Sequence, residues 1–150
     1  MCYFAVNLSM KKIALIFLVA CIAGTAWGQT VTITVSGIRN TKGSLRLQFF
    51  TSSENFENRA PTLVKTVSKA GVKNGTLTVT YPGLTAGLYG IALLDDENNN
   101  KEMDYGVVLP DEGFGFSDYY HKGLSHPKFG QFDFYLKNET KNIKIQVRYM

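Results

Sequence analysis

The stretch Val31-Thr32-Ile33-Thr34-Val35-Ser36 decides the fold class. Apolar and hydroxyl side chains alternate at every step, the period of a strand with one face in a core and the other in water. Its β-branched residues also suit a pleated backbone. The same period recurs on moving outward. Leu45, Leu47 and Phe49 alternate with Arg46 and Gln48, and Leu77, Val79 and Tyr81 alternate with threonines. Phe132, Phe134 and Leu136 form a further set, and Ile143, Ile145, Val147 and Tyr149 close the chain. Residues 63–67 read as one more short strand, and 51–61 as a polar turn with Phe56 tucked inward. Gly37, Gly43, Asn74-Gly75 and Pro82-Gly83 fall between these runs as turn residues. Residues 88–94 are apolar on both faces, as expected of a central strand. No stretch of ten or more residues carries a helical period. About seven short strands therefore predict an all-β, antiparallel sandwich of the immunoglobulin-like or transthyretin-like kind. One long irregular loop runs from residue 95 to about residue 130.

The chain has 150 residues, 45% of them apolar. That is enough for one sizeable core, since a domain near this size hides about two-thirds of its unfolded surface. The first 28 residues read as a signal peptide. Lys11 and Lys12 form a charged start, with Met10 as the better initiator. Residues 13–23 are an apolar run too short for a transmembrane span, and Ala26-Trp27-Gly28 fits a small-x-small cleavage site. Residues 29–150 would then be one exported β-sandwich domain in the periplasm, outside the cell or at the outer membrane, with no transmembrane segment of its own. The minority reading takes Leu18-Val19-Ala20-Cys21 as a lipoprotein signal, with Cys21 lipidated. Both cysteines, Cys2 and Cys21, lie in this leader, so the remainder has no disulfide, thiol nucleophile or thiolate metal site. Beyond the leader, 14 basic residues face 12 acidic ones, because Lys11 and Lys12 are the leader's only charges. That near balance, without a basic run, points away from nucleic acid.

Two segments of the long loop carry candidate chemistry. In the first, Asp96, Asn98, Asn100, Glu102 and Asp104 fall at alternate positions, the spacing with which calcium loops gather oxygen ligands. Lys101 stands where such loops want glycine, and Val107 where they want a bidentate glutamate. The competing reading is a hydrogen-bonded polar turn. In the second, Tyr105, Phe114, Phe116, Tyr119 and Tyr120 lie among glycines. Such residues offer flat apolar faces to a glycan or peptide. Alternatively, Phe114, Phe116 and Phe129 plug the open end of the sandwich. His121 and His126, with Asp118, are a candidate metal set, and Ser117 and Ser125 lie near these histidines. No nucleophile-elbow pattern surrounds either serine.

The ordered set Leu84-x-x-Gly87-x-Tyr89, Ala92, Asp95/Asp96-Glu97-Asn98-x-Asn100-Lys101-x-x-Asp104, Gly106, Pro110, Gly113-Phe114-Gly115-Phe116-Ser117 and Pro127-x-Phe129 resembles the domain of unknown function (DUF) 2141 family of small exported bacterial proteins. The opening Gly37-Ile38-x-Asn40-x-Lys42-Gly43 is similar too. The resemblance covers about residues 30–149 and implies an exported β-sandwich. It brings no activity or catalytic residue. Where the family has Asn-Gly-Lys, this chain has Asn99-Asn100-Lys101, which predicts a left-handed backbone at Asn100. The expectation is a non-enzymatic binding or accessory module working through residues 95–130, with calcium as a candidate stabiliser. A structural envelope-associated protein is the first alternative, and a hydrolase or metalloenzyme using His121 and His126 the second.

Overall fold

A computed structural model describes residues 28–150. The signal-peptide reading and both cysteines lie outside the described residues, apart from Gly28. The elements run β1 (Gln29–Ser36), β2 (Ser44–Phe50), a short helix α1 (Ser53–Glu57), β3 (Leu63–Ser68), β4 (Leu77–Leu84), β5 (Gly87–Asp96), β6 (Gly113–Phe116), β7 (Asp133–Leu136) and β8 (Lys141–Gln146). They form two sheets, one in the order β4-β1-β8 and one in the order β3-β2-β5-β6 with β7 also paired to β5. The fold is an all-β sandwich, with eight described strands where about seven were expected.

One pairing departs from the expected antiparallel pattern. β8 runs parallel to β1, Ile33 opposite Ile143 and Val35 opposite Ile145. Parallel neighbours need a crossover, and here the whole intervening chain supplies it. β5 is the central strand its two apolar faces predicted. One edge pairs with β2, and the other is shared by β7 along residues 87–90 and β6 along residues 92–95.

Alternation sends Val31, Ile33 and Val35 of β1 into the interior against Leu45, Leu47 and Phe49 of β2 and Ile91 and Leu93 of β5. Each such side chain contributes about 1.5–3 kcal/mol on full burial. Near one end of this interior sits a buried ion pair. Lys69 and Asp95 are both fully buried, and the Lys69 Nζ donates to Asp95 Oδ1 and to Asn40 Oδ1. Tyr149 donates its hydroxyl to the other oxygen of Asp95. Burial first, and that hydrogen bond second, push the Tyr149 hydroxyl well above its ordinary pKa.

The expected irregular loop is partly a correction. β6 lies inside it, and its Gly-Phe-Gly-Phe sequence is an alternating strand. Gly113 and Gly115 face the sandwich interior, where a Cβ on Gly115 would meet the Ile145 side chain at 2.6 Å and the Gln146 carbonyl at 2.9 Å. Only glycine lets β8 and the closing segment come this near. Phe114 and Phe116 then point the other way, onto the outer face of the larger sheet.

That outer face carries a second apolar layer. Phe50, Phe56, Phe116, Phe129 and Phe132 are all buried there, with Phe132 4.9 Å from Phe56 and 5.0 Å from Phe116 between ring centroids. Phe116 and Phe129 thus cover the face of a sheet, where plugging the open end of the sandwich was the alternative expected. Gly90 makes room, since a Cβ there would lie 2.6 Å from Phe129 and 2.7 Å from Phe132. Ser117 ties the layer to the central strand. Its hydroxyl donates to the Phe132 carbonyl at 2.6 Å and accepts from the Ile91 amide at 2.9 Å. The first turn of α1 is capped by the Ser52 hydroxyl, which accepts from the Asn55 amide and so presents Phe56 to this layer.

Candidate functional site

The second apolar layer leaves a groove of about 770 Å³ beside it. The size falls within the roughly 300–1,000 Å³ common for ligand pockets. Its floor is the outer face of three neighbouring strands: Arg46, Gln48 and Phe50 of β2, Ala92 and Leu94 of β5, Phe114 and Phe116 of β6. One wall comes from residues 101–110, the other from residues 121–127, and Phe56, Arg59 and Pro61 close one end. The first wall is a hairpin, in which the Gly106 amide donates to the Leu109 carbonyl and the Asp111 amide to the Asp104 carbonyl, both at 2.9 Å. It holds Val108 81% and Leu109 41% exposed, and Leu124 across the groove is 80% exposed.

The floor contains a cation without a partner. The Arg46 Nε is buried and donates to no acceptor among the described residues. Arg46 also forms no ion pair among them, where the pairs are Arg39–Glu97 and Lys69–Asp95.

Three of the five expected aromatic site residues come to this groove. Tyr105, Phe114 and Phe116 line it, whereas Tyr119 and Tyr120 do not. Tyr119 accepts from the Gln131 amide nitrogen, and Tyr120 is exposed. Sequence reading missed Arg46, Phe50 and Phe56. The signal was present: Phe49-Phe50 puts apolar side chains on both faces of β2, as Leu93-Leu94 does on β5, so the outer face had to be covered.

The expected calcium ligands do sit in one tight turn, and that turn closes on its own hydrogen bonds. Asp96 accepts the Asn100 amide at 3.1 Å and the Lys101 amide at 2.9 Å, one on each carboxylate oxygen. Asn98 and Asn100 turn their side-chain nitrogens toward Asp104, and Asn98 Oδ1 accepts from the Asn100 amide. Glu102 is exposed, its amide held by Asn100 Oδ1. The left-handed residues are Asn99 and Lys101, with φ of 61° and 70°, which corrects the expectation for Asn100. Behind the turn, Glu112 accepts the Glu97 and Asp104 amides, while burial pushes its carboxyl above the ordinary range. Among the described residues, no three His, Cys, Asp or Glu side chains are grouped to hold a metal ion.

The histidine region is likewise internally engaged. The His121 Nε2 lies 2.6 Å from the Ser125 carbonyl, and His126 packs on Phe56 at 5.3 Å. Burial lowers the His126 pKa, with Arg59 and His121 adding to the effect. Asp118, the carboxylate expected to complete a metal set, accepts instead from the Lys144 amide on β8. Ser117 is committed to Ile91 and Phe132 as described above.

No helix among the described residues is long and apolar enough to cross a membrane. A family described as an uncharacterized protein conserved in bacteria (DUF2141) matches residues 33–144. No curated protein and no solved structure matches the chain.

Proposed function

The chain belongs to the DUF2141 family, and from that premise we propose that it is an exported, non-enzymatic binding module whose ligand lies in the groove on the outer face of the larger sheet. The groove floor and both walls, from Arg46 to Pro127, fall within the segment that defines the family. Export rests on the leader at residues 1–28, with its paired lysines, short apolar run and Ala26-Trp27-Gly28 cleavage site.

The observation that carries the reading is the exposed apolar wall. Val108, Leu109 and Leu124 stand in solvent on either side of an apolar floor. Contiguous exposed apolar surface of this kind marks a contact site, since leaving it wet is unfavourable. Aromatic side chains alone suited a glycan as well as a peptide. The lining as a whole favours a ligand with substantial apolar surface over a sugar, whose hydroxyls need many polar partners. The Asp96–Asp104 turn then anchors one wall of the groove. A cation entering that turn would have to displace the amide donors that Asp104 now holds.

The test is binding of N-phenyl-1-naphthylamine, a neutral apolar probe whose fluorescence rises on burial. The wild-type chain is expected to bind it. The double variant Leu109→Asp/Leu124→Asp should lose at least about tenfold in affinity, roughly 1.4 kcal/mol, at an unchanged melting temperature, because both side chains are exposed. Failure of the wild type to bind, or equal binding by the double variant, would overturn the groove as the site.

A further inference from the structure

We infer that the ligand of this groove carries a carboxylate on an aliphatic body, and that Arg46 receives the carboxylate. The inference rests on the groove being a binding site and adds the chemical class of what fills it.

The starting point is the state of Arg46. β2 alternates strictly, so Leu45 and Leu47 enter the sandwich interior and Arg46 is turned to the outer face, between Thr66 of β3 and Leu94 of β5. A guanidinium carries five donors and no acceptor. On a sheet face it normally meets a carboxylate or lies extended in water. Here Nε is buried with no partner, and no acidic side chain pairs with the group among the described residues. A buried, unsatisfied donor on a charged group is costly, more so than on a neutral one. Arg46 as a whole is only half-buried and lines the groove, so an anion there meets the rest of the guanidinium and neutralises its charge.

The surroundings set the sign and the class. Arg46, Arg59 and Lys101 line the groove against one acidic side chain, Glu102. The field inside it therefore favours a negative group. A lone guanidinium matches a planar carboxylate through two parallel hydrogen bonds. The rest of the lining is Phe50, Leu94, Phe114 and Phe116 below, with Leu109 and Leu124 at the sides. That is a surface for hydrocarbon.

A peptide would need partners for its own main chain. The floor offers none, because β2 is paired on both edges by β3 and β5, and β5 by β2 and β6. A medium-chain aliphatic carboxylate makes no such demand. Its head satisfies Arg46 and its tail covers the exposed walls.

Displacement of N-phenyl-1-naphthylamine from the full chain at neutral pH tests this, with decanoate compared against decanol and decyltrimethylammonium. In the wild type decanoate should displace the probe at a concentration at least about tenfold lower than decanol, and the cation should be the weakest. In Arg46→Met, with each competitor read against that variant's own affinity for the probe, the advantage of decanoate over decanol should disappear. Arg46→Lys should retain part of the preference. Equal potency of acid and alcohol in the wild type, or an undiminished preference in Arg46→Met, would overturn the inference while leaving the groove a binding site. Absence of probe binding altogether would instead remove the groove itself, and this inference with it.

Discussion

Glu97 shows how single side chains hold the segment around the groove to the sandwich. Its carboxylate accepts from the Arg39 Nε at 2.6 Å and from the Asn40 side chain at 3.0 Å. Arg39 in turn lies over the Tyr149 ring at 4.3 Å and donates to the Asp111 carbonyl. The hydrogen bond from Arg39, aided by that from Asn40, holds the Glu97 carboxyl below its ordinary value of 4.5. A depressed acid stabilises the fold in its charged form, so its contribution is complete above the unfolded value and fades as pH falls through the lower folded one. Wild type should therefore be more stable than Glu97→Gln at pH 7, by under about 1 kcal/mol for a half-exposed pair. The gap should narrow below about pH 4.5, where the unfolded carboxyl gains its proton, and close as the pH falls through the lower native value. Urea denaturation of both proteins from pH 7 to pH 3 measures it, and a gap that stays constant across the range would exclude the pair as its source.

At the scale of elements, the turn that joins β5 to the groove wall separates two ways of closing a loop. The alternate Asp and Asn positions were legible as oxygen-rich, but composition cannot distinguish oxygens gathered on an ion from oxygens that take up local amides. Here both oxygens of Asp96 take backbone amides from Asn100 and Lys101. Asp96→Ala should thus cost about 1–3 kcal/mol, by leaving two donors of the turn unpartnered. Millimolar calcium should leave the wild-type melting temperature where chelator leaves it. A calcium-dependent rise that Asp96→Ala abolishes would mean that the turn reopens around a cation. The strands themselves were readable because their faces differ so sharply in polarity. The exception is β6, where Gly113 and Gly115 stand at the inward positions that the other strands fill with Val, Ile or Leu. An alternation of Gly with Phe looks like loop until the approach of Ile145 and the Gln146 carbonyl explains why no side chain fits. The parallel partnership of β1 and β8 was equally hidden, since period two reports which face is buried and says nothing of which neighbour lies alongside.

For the whole molecule, the unexpected feature is two apolar layers on opposite faces of one sheet, the sandwich interior and the aromatic layer beneath the groove. Their coupling decides whether the groove is a separable lid or part of the cooperative fold. The layers share the central strand: Ile91 and Leu93 face the interior, Gly90 and Ala92 the aromatic layer. Ser117 fastens the two together by joining the Ile91 amide to the Phe132 carbonyl. Phe132, 2% exposed, touches Phe56, Phe116 and Phe129. Removing its ring leaves a cavity that backbone so constrained cannot collapse to fill. Phe132→Ala should therefore lower global stability by about 3–5 kcal/mol, a large share of the roughly 5–15 kcal/mol typical of a domain. Unfolding should remain a single transition, with circular dichroism of the strands and fluorescence of the tyrosines moving together. A detachable lid would behave differently. The variant would keep the wild-type midpoint by circular dichroism, and protease would cut the segment between β6 and β7 long before the strands unfold. Coincident, lowered transitions would mean that the fold and the groove floor are stabilised by the same contacts, so that a ligand filling the groove should raise the melting temperature of the entire sandwich.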